Sequence, residues 1–430
     1  MRTNSKYFDE IRSYLDLIPV IETHEHYSGI SDPEGRFSFF FDYLWSDMQS
    51  AVLTGFKGED KALPFDDRYN DFERLYKRTD KTAYARAIRT TLKECWGIEE
   101  VSREAFRKLE DGLSKRTLES CEALLESHGI QAMIVNIYET DRFLAILEGK
   151  GEKQTKFCRY AFPLPAFHKI HNIDDIARLQ PYAREKMVCL DDYMDAFERL
   201  LEKSIEFGII CMKDQSAYTR SIEFKHPAKA EAEAIFNRII GNPRYVAGTE
   251  EMIILGDWLF HSFMKLAGKY DLPVQVHTGH MAGIRNEIAK TNAANFIPVM
   301  ELHADVRFDL FHANWPYMDE YLFIGKNYPN AYLDLCWVQV IDPIYAVELM
   351  KRVLVAVPHK KLMAFGGDCS CPETTIGFLI LARDNVACAL SDMMDSDWIQ
   401  MHEAKEIAAD WFFNNPNEFF KLGFEPFKAL

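Results

Sequence analysis

Eight short apolar runs, each followed by a longer stretch with helical periodicity, constrain this chain more than any other feature it has. The runs cover 18–23, 130–138, 157–164, 207–213, 272–277, 307–312, 331–336 and 362–367, and are rich in Val, Ile, Leu and Phe. Their length and composition suit buried strands. Between them, 192–206, 249–270, 292–304, 318–328 and 343–357 repeat apolar residues at three- and four-residue steps, the spacing that gives a helix one apolar face. Strands that alternate with amphipathic helices call for a parallel sheet joined by crossovers. Eight such units are the number that closes on itself. The expected fold class is therefore α/β, a TIM-type (β/α)8 barrel, with residues 1–430 forming one domain.

Two intervals break the regular spacing. The first two runs are much further apart than a crossover needs, and the stretch 37–125 is rich in aromatics, Arg, Lys and Glu with helical patterning. It reads as a helical insertion after the first strand that covers the catalytic face. The segment 217–248, after the fourth run, is expected to add another helix to that face. The tail 396–430 looks helical and is expected to close the bottom or side of the barrel. There is no internal repeat, low-complexity tract or Pro/Gly/Ser linker that would mark a second domain.

The composition narrows the partners. Of 430 residues, 48% are hydrophobic and 13% aromatic, which is enough to build a large core. Lys and Arg number 50 against 66 Asp and Glu, a formal net charge of −16, and no basic run could follow a phosphate backbone. Nucleic acid is not an expected partner. The first residues lack the apolar core of a secretory signal, and no uncharged apolar stretch is long enough to span a membrane. Nine cysteines without paired spacing point to reduced thiols and a cytoplasmic location. The many apolar and aromatic residues of the inserted helices leave room for a homo-oligomer.

The chemistry sits where runs end. His24 and His26 close the first run two residues apart, and side chains two apart on a strand share a face. On its own such a pair is more often two exposed or hydrogen-bonded histidines. The fifth run, however, ends at His277, the sixth at His312 and the eighth at Asp368, each where an apolar strand gives way to a turn of small residues. Imidazoles and a carboxylate collected at strand ends can chelate a borderline-soft divalent cation. His280 is intermediate, either lining the pocket or capping a helix. For His128, His168, His171, His226, His261, His303, His359 and His402 an ordinary surface or capping role is expected.

His24-x-His26, His277, His312 and Asp368 at successive strand ends resemble the amidohydrolase superfamily. The His277-Thr-Gly turn, the His312-x-x-Trp-Pro-Tyr segment, the Tyr328-Pro-Asn-x-Tyr-Leu-Asp334 run and Gly366-Gly-Asp368 are similar to the amidohydrolase-related (amidohydrolase 2) family. That family includes carboxymuconate-semialdehyde-type decarboxylases and is distantly similar to uronate isomerases. The resemblance implies His24, His26, His277 and Asp368 as metal ligands, and His312 as the group that polarises or protonates the substrate. A zinc-class ion lowers the pKa of its water to roughly 7, and Asp368 could take the proton.

Lys213 ends the fourth run, where binuclear members carry a carboxylated bridging lysine. One Zn2+ per chain is expected, or two if Lys213 is carboxylated. With one metal, Lys213, together with Arg220 or Arg285, would bind a substrate carboxylate, while a merely structural Lys213 would pair with Asp214 or another carboxylate. Tyr218 and Trp315 are wall candidates by position. No Gly-x-Ser-x-Gly elbow, phosphate loop or dinucleotide fingerprint is present. The expected function is hydrolysis of a small, anionic molecule by metal-bound hydroxide attacking a carbonyl-type carbon. Decarboxylation or uronate-type isomerisation on the same site is the alternative, and an inactive barrel used for binding is the alternative of another class.

Overall fold

The computed structural model describes residues 3–26, 36, 43–56, 63–151 and 154–428. Eight parallel strands follow one another in chain order: β1 (Val20–Glu25), β2 (Ile130–Asn136), β3 (Cys158–Pro163), β4 (Ile209–Asp214), β5 (Val274–Val276), β6 (Phe308–Leu310), β7 (Ala331–Asp334) and β8 (Leu362–Met363). Every apolar run of the sequence contributes one strand. The circle closes through the segment after β8, where Thr23 N donates to Phe365 O at 3.0 Å and Asp368 N to His24 O at 2.9 Å. This is the expected (β/α)8 barrel, its strands buried on both faces as parallel strands covered by helices must be.

The helix boundaries follow local signals. In the helix Leu190–Phe207, Asp192 reaches back to accept from Val188 N at 2.8 Å and Cys189 N at 3.1 Å, and Gly208 ends the helix in the left-handed region at φ 109°. The helix Thr249–Lys269 begins in the same way, with the Glu251 carboxylate on Gly248 N at 3.1 Å. The expected helix 292–304 is instead a 3-10 turn, Ala293–Phe296, that runs into a short helix, Ile297–Leu302. Pro298 allows helix only from its first turn, which is where it stands.

Between β1 and β2 the described residues form the helices Leu44–Ser50, Phe65–Thr79, Ala83–Trp96, Arg103–Ser114 and Leu118–Ser127. Residues 37–42 and 57–62 of the stretch read as an insertion lie outside the described residues. Ala83–Trp96 packs on the long buried helix Pro372–Asp395. At that crossing a Cβ on Gly377 would stand 1.9 Å from Thr91 Oγ1 and 2.9 Å from its Cα. Because backbone limits how far the helices can part, Gly377→Ala is expected to cost about 1–3 kcal/mol. A denaturant midpoint equal to that of the wild type would refute this.

The helix of the 217–248 segment, Lys229–Gly241, packs on Thr249–Lys269 and Leu190–Phe207 at the side of the barrel. The part of this region that reaches the top is the stretch from Gln215 to Ser221. The tail reaches the opposite end, where Ala364 N donates to Trp411 O at 2.9 Å and Asn415 Nδ2 to Leu362 O at 2.7 Å. Among the described residues, no helix is long and apolar enough to cross a membrane.

Candidate metal centre

The ends of β6, β7 and β8 turn through left-handed backbone at residues other than glycine: His312 (φ 58°), Ala313 (50°), Asn314 (50°), Trp337 (62°) and Asp368 (54°). Such conformations cost roughly 1–3 kcal/mol each and concentrate where side-chain placement matters more than backbone comfort. Here they aim His312 and Asp368 at the end of β1. His24 Nε2 lies 3.4 Å from Asp368 Oδ1, and His26 Nε2 lies 3.1 Å from the same oxygen. On the other side of the carboxylate, His312 Nε2 is 3.9 Å from Oδ2 and 3.3 Å from His277 Nδ1.

Three of the rings are held by backbone carbonyls at their far nitrogens. His26 Nδ1 bonds Asn136 O at 3.1 Å, His277 Nε2 bonds His280 O at 2.8 Å and His312 Nδ1 bonds Cys336 O at 3.0 Å. A carbonyl only accepts, so each of those nitrogens carries the proton and the inner nitrogen presents a lone pair. The lone pairs of His277 Nδ1 and His312 Nε2 thus face each other, an arrangement that calls for a cation or a proton. Metal-ligating histidines are oriented in this way by their outer nitrogen.

Spacing agrees with the donor types. A tetrahedral ion with bonds of 2.0–2.1 Å separates its ligand atoms by roughly 3.3 Å, and the close contacts here run from 3.1 to 3.4 Å. Burial would raise the Asp368 carboxyl, but its closeness to His26, His24 and His312 holds it well below the usual carboxylate range. Burial drives His24 and His277 well down and His312 down to about 4, so these rings stay neutral and able to ligate. The residues present therefore fit a divalent cation.

Below this centre lies a buried polar layer that the sequence did not reveal. Glu22, Gln275, Asp309 and Asp334 are fully buried, and Gln275 Nε2 donates to Thr23 O at 2.8 Å and Asp309 Oδ2 at 3.1 Å. Lys213 is 1% exposed, its Nζ lies 3.5 Å from the centroid of the Phe311 ring, and it has no hydrogen-bond partner among the described residues. Burial pushes its ammonium down to about 8. The alternative of a Lys213–Asp214 pair is not what forms: Asp214 accepts from His168 Nε2 at 2.7 Å and from Ser216 N at 2.9 Å. His168 is thus a buried partner rather than a surface residue. His261 and His303 are also buried and bond each other at 2.9 Å, where ordinary surface or capping roles were expected.

A cavity of about 1000 Å³ opens from His26, with Tyr138, His168, Lys169, Gln215, Tyr218, Arg220, Met252 and Lys290 among its walls. Tyr138 stands edge-on to His26 at 5.5 Å and Tyr218 to His277 at 4.8 Å, so the two phenols flank the entrance. No Asp or Glu is among the described residues that line the cavity. Arg220 lies in its wall with its guanidinium paired to Asp257, and Lys290 pairs with Glu287 at 2.5 Å. Of the other wall candidates, Trp315 donates to Asp342 at 3.3 Å and packs on His280 at 5.3 Å. Arg285 is exposed and does not line the cavity. His280 lies between Trp315 and Trp337 and gives its carbonyl to His277.

Sequence reasoning also missed Tyr43, whose hydroxyl donates to Asp368 O, Asn136, which holds His26, and Cys336. The last was legible in part, since it closes the seventh run as the ligand candidates close others.

Comparison with known proteins agrees with this fold. Residues 244–422 match the family model described as amidohydrolase. The chain is 29% identical over 178 residues to Protein fluG of Emericella nidulans; the match covers 40% of this chain but spans only 20% of that protein's length. Among solved structures, uronate isomerase from Thermotoga maritima superimposes with a TM-score of 0.78 at 12% identity, covering 97% of this chain and 98% of that one. Glucuronate isomerase from Caulobacter crescentus gives 0.73 at 14% identity, covering 99% and 96%. Identities this low establish the shared barrel fold and not a shared reaction. The chain thus shares the barrel of these proteins, and its residues 244–422 are similar to the amidohydrolase family.

Proposed function

We propose that the chain is a metal-dependent enzyme that holds a zinc-class cation through His24, His26 and Asp368, with His277 as a further donor, and hydrolyses a small anionic molecule at a carbonyl-type carbon. The observation that carries this reading is the Asp368 carboxylate set between His24 and His26 on Oδ1 and His312 on Oδ2. A bound divalent cation supplies an acidified water and polarises a carbonyl oxygen.

The chain's own residues do the rest. Asp368 Oδ2, on the side away from His24 and His26, can accept a proton and pass it to His312 Nε2, which then serves as the acid toward the leaving group. Tyr138 and Tyr218 wall the entrance and exclude water from the reacting end. Lys169, in a wall whose described lining has no carboxylate, suits the substrate's anionic end, with Arg220 beside it already paired to Asp257. Lys213, whose Nζ has no partner among the described residues, serves as a fixed cation beside the centre, or as a bridging ligand if carboxylated. Free thiols at all nine cysteines support a reducing, cytoplasmic setting. The stretch 37–125 is proposed as an insertion covering the site, since Tyr43 reaches Asp368 from it.

Elemental analysis of wild type and a His24→Ala, His26→Ala double variant tests the metal. At least one equivalent per chain is expected in the wild type, with one equivalent lost in the variant. Zn2+ at about a thousand times its Kd should also add about 4 kcal/mol of stability. A wild type that takes up no metal and gains no stability would end this reading. The fold shared with uronate isomerases keeps isomerisation as the second reading, beside decarboxylation. Products formed in 18O-labelled water separate them: hydrolysis incorporates the solvent oxygen into the product acid, whereas a product free of label favours the second reading.

A further inference from the structure

The seventh strand brings a thiol to the centre. Cys336 follows β7 by two residues and is fully buried, and its Sγ, one His312 ring nitrogen and one Asp368 carboxylate oxygen lie within 4.8 Å of one another. Cys369 and Cys371, equally buried, spend their thiols on Gly367 O at 3.2 Å and Thr374 Oγ1 at 2.9 Å. Cys336 Sγ has no such partner among the described residues. Its backbone is tightly held: Cys336 N donates to Asp334 Oδ1 at 2.7 Å, and Cys336 O anchors His312 Nδ1 at 3.0 Å. One residue therefore orients the imidazole and adds a sulfur beside it.

Asp368 already divides its oxygens between two sides. Oδ1 faces His24 and His26, and Oδ2 faces His312.

We propose that Cys336, His312 and Asp368 Oδ2 form a second cation position, bearing a thiolate and sharing Asp368 with the position at His24 and His26; when it is filled, His312 and Oδ2 are ligands and do not carry the proton. The inference rests on the metal-centre reading above. Its ligand set of one sulfur, one nitrogen and one oxygen selects borderline-soft divalent ions, such as zinc or cobalt, over magnesium or calcium. Binding replaces the S–H bond with a sulfur–metal bond and releases the proton to solvent, with no change of oxidation state.

Cobalt(II) reports the sulfur directly, because a thiolate ligand produces a charge-transfer band in the near ultraviolet that imidazole and carboxylate ligands do not. Full-length protein loaded with Co2+ is expected to show this band, and Cys336→Ser to lose it together with about one equivalent of metal. The His24→Ala, His26→Ala variant should keep the band, and Cys369→Ser should keep it too. If Cys336→Ser fails to fold, the wild-type spectrum still decides. Co2+ bound to the wild type without the band would overturn this inference and leave the metal-centre reading standing, as would a band lost from the His24→Ala, His26→Ala variant. A wild type that binds no Co2+ would overturn both.

Discussion

Replacing Asp368 by Asn is expected to weaken divalent-metal binding by roughly 10²–10⁴-fold, because removing one partner from a buried charge arrangement costs roughly 3–5 kcal/mol. The side chain is 5% exposed and stands between His24, His26 and His312, so solvent cannot make good the lost charge. Asn keeps the shape and one acceptor oxygen, which separates the loss of charge from the creation of a cavity. The affinity would be read by competition with a chelator at constant pH, and the folded state by circular dichroism. A folded Asn variant with wild-type affinity would remove Asp368 from the ligand set, and with it the reading of the centre.

Gly279→Ala should have the largest effect on stability. Gly279 has φ 66°, and an added Cβ would stand 2.6 Å from Asn314 C and Trp315 N and 2.7 Å from Trp315 O. All three are backbone atoms of the turn that follows His312, so no side-chain rotation relieves the overlap. The glycine is also pinned, with its N donating to Thr291 O at 2.8 Å and its O accepting from Thr291 Oγ1 at 2.5 Å. Left-handed strain and overpacking together suggest a cost of roughly 2–6 kcal/mol, a large share of the 5–15 kcal/mol that typically holds a domain together. Urea unfolding would measure it, and a loss under about 1 kcal/mol would mean that the turns after β5 and β6 part more easily than backbone packing allows. Because those turns carry His277 and His312, a variant that folds should also bind metal less tightly.

Much of this protein could be read before it was folded. The eight strands and most helices follow from apolar periodicity, which is local: a run such as 132–137 is apolar enough to need burial on both faces, and 249–270 can hide its apolar residues only as a helix. His24 and His26 share a face because residues two apart on a strand always do. His277, His312 and Asp368 were legible because each stands where such a run stops. What the chain could not show from neighbours in sequence was who meets whom. Lys213 and Asp214 are adjacent, but adjacent strand residues point to opposite faces, so Asp214 joins His168 while Lys213 lies over Phe311. Arg220 looked free for substrate until the fold brought Asp257 to it from 37 residues away. The carbonyls that orient three imidazoles, the buried carboxyls beneath them and the direction of the Cys336 thiol depend on closure of the barrel, and only the tertiary structure decides them.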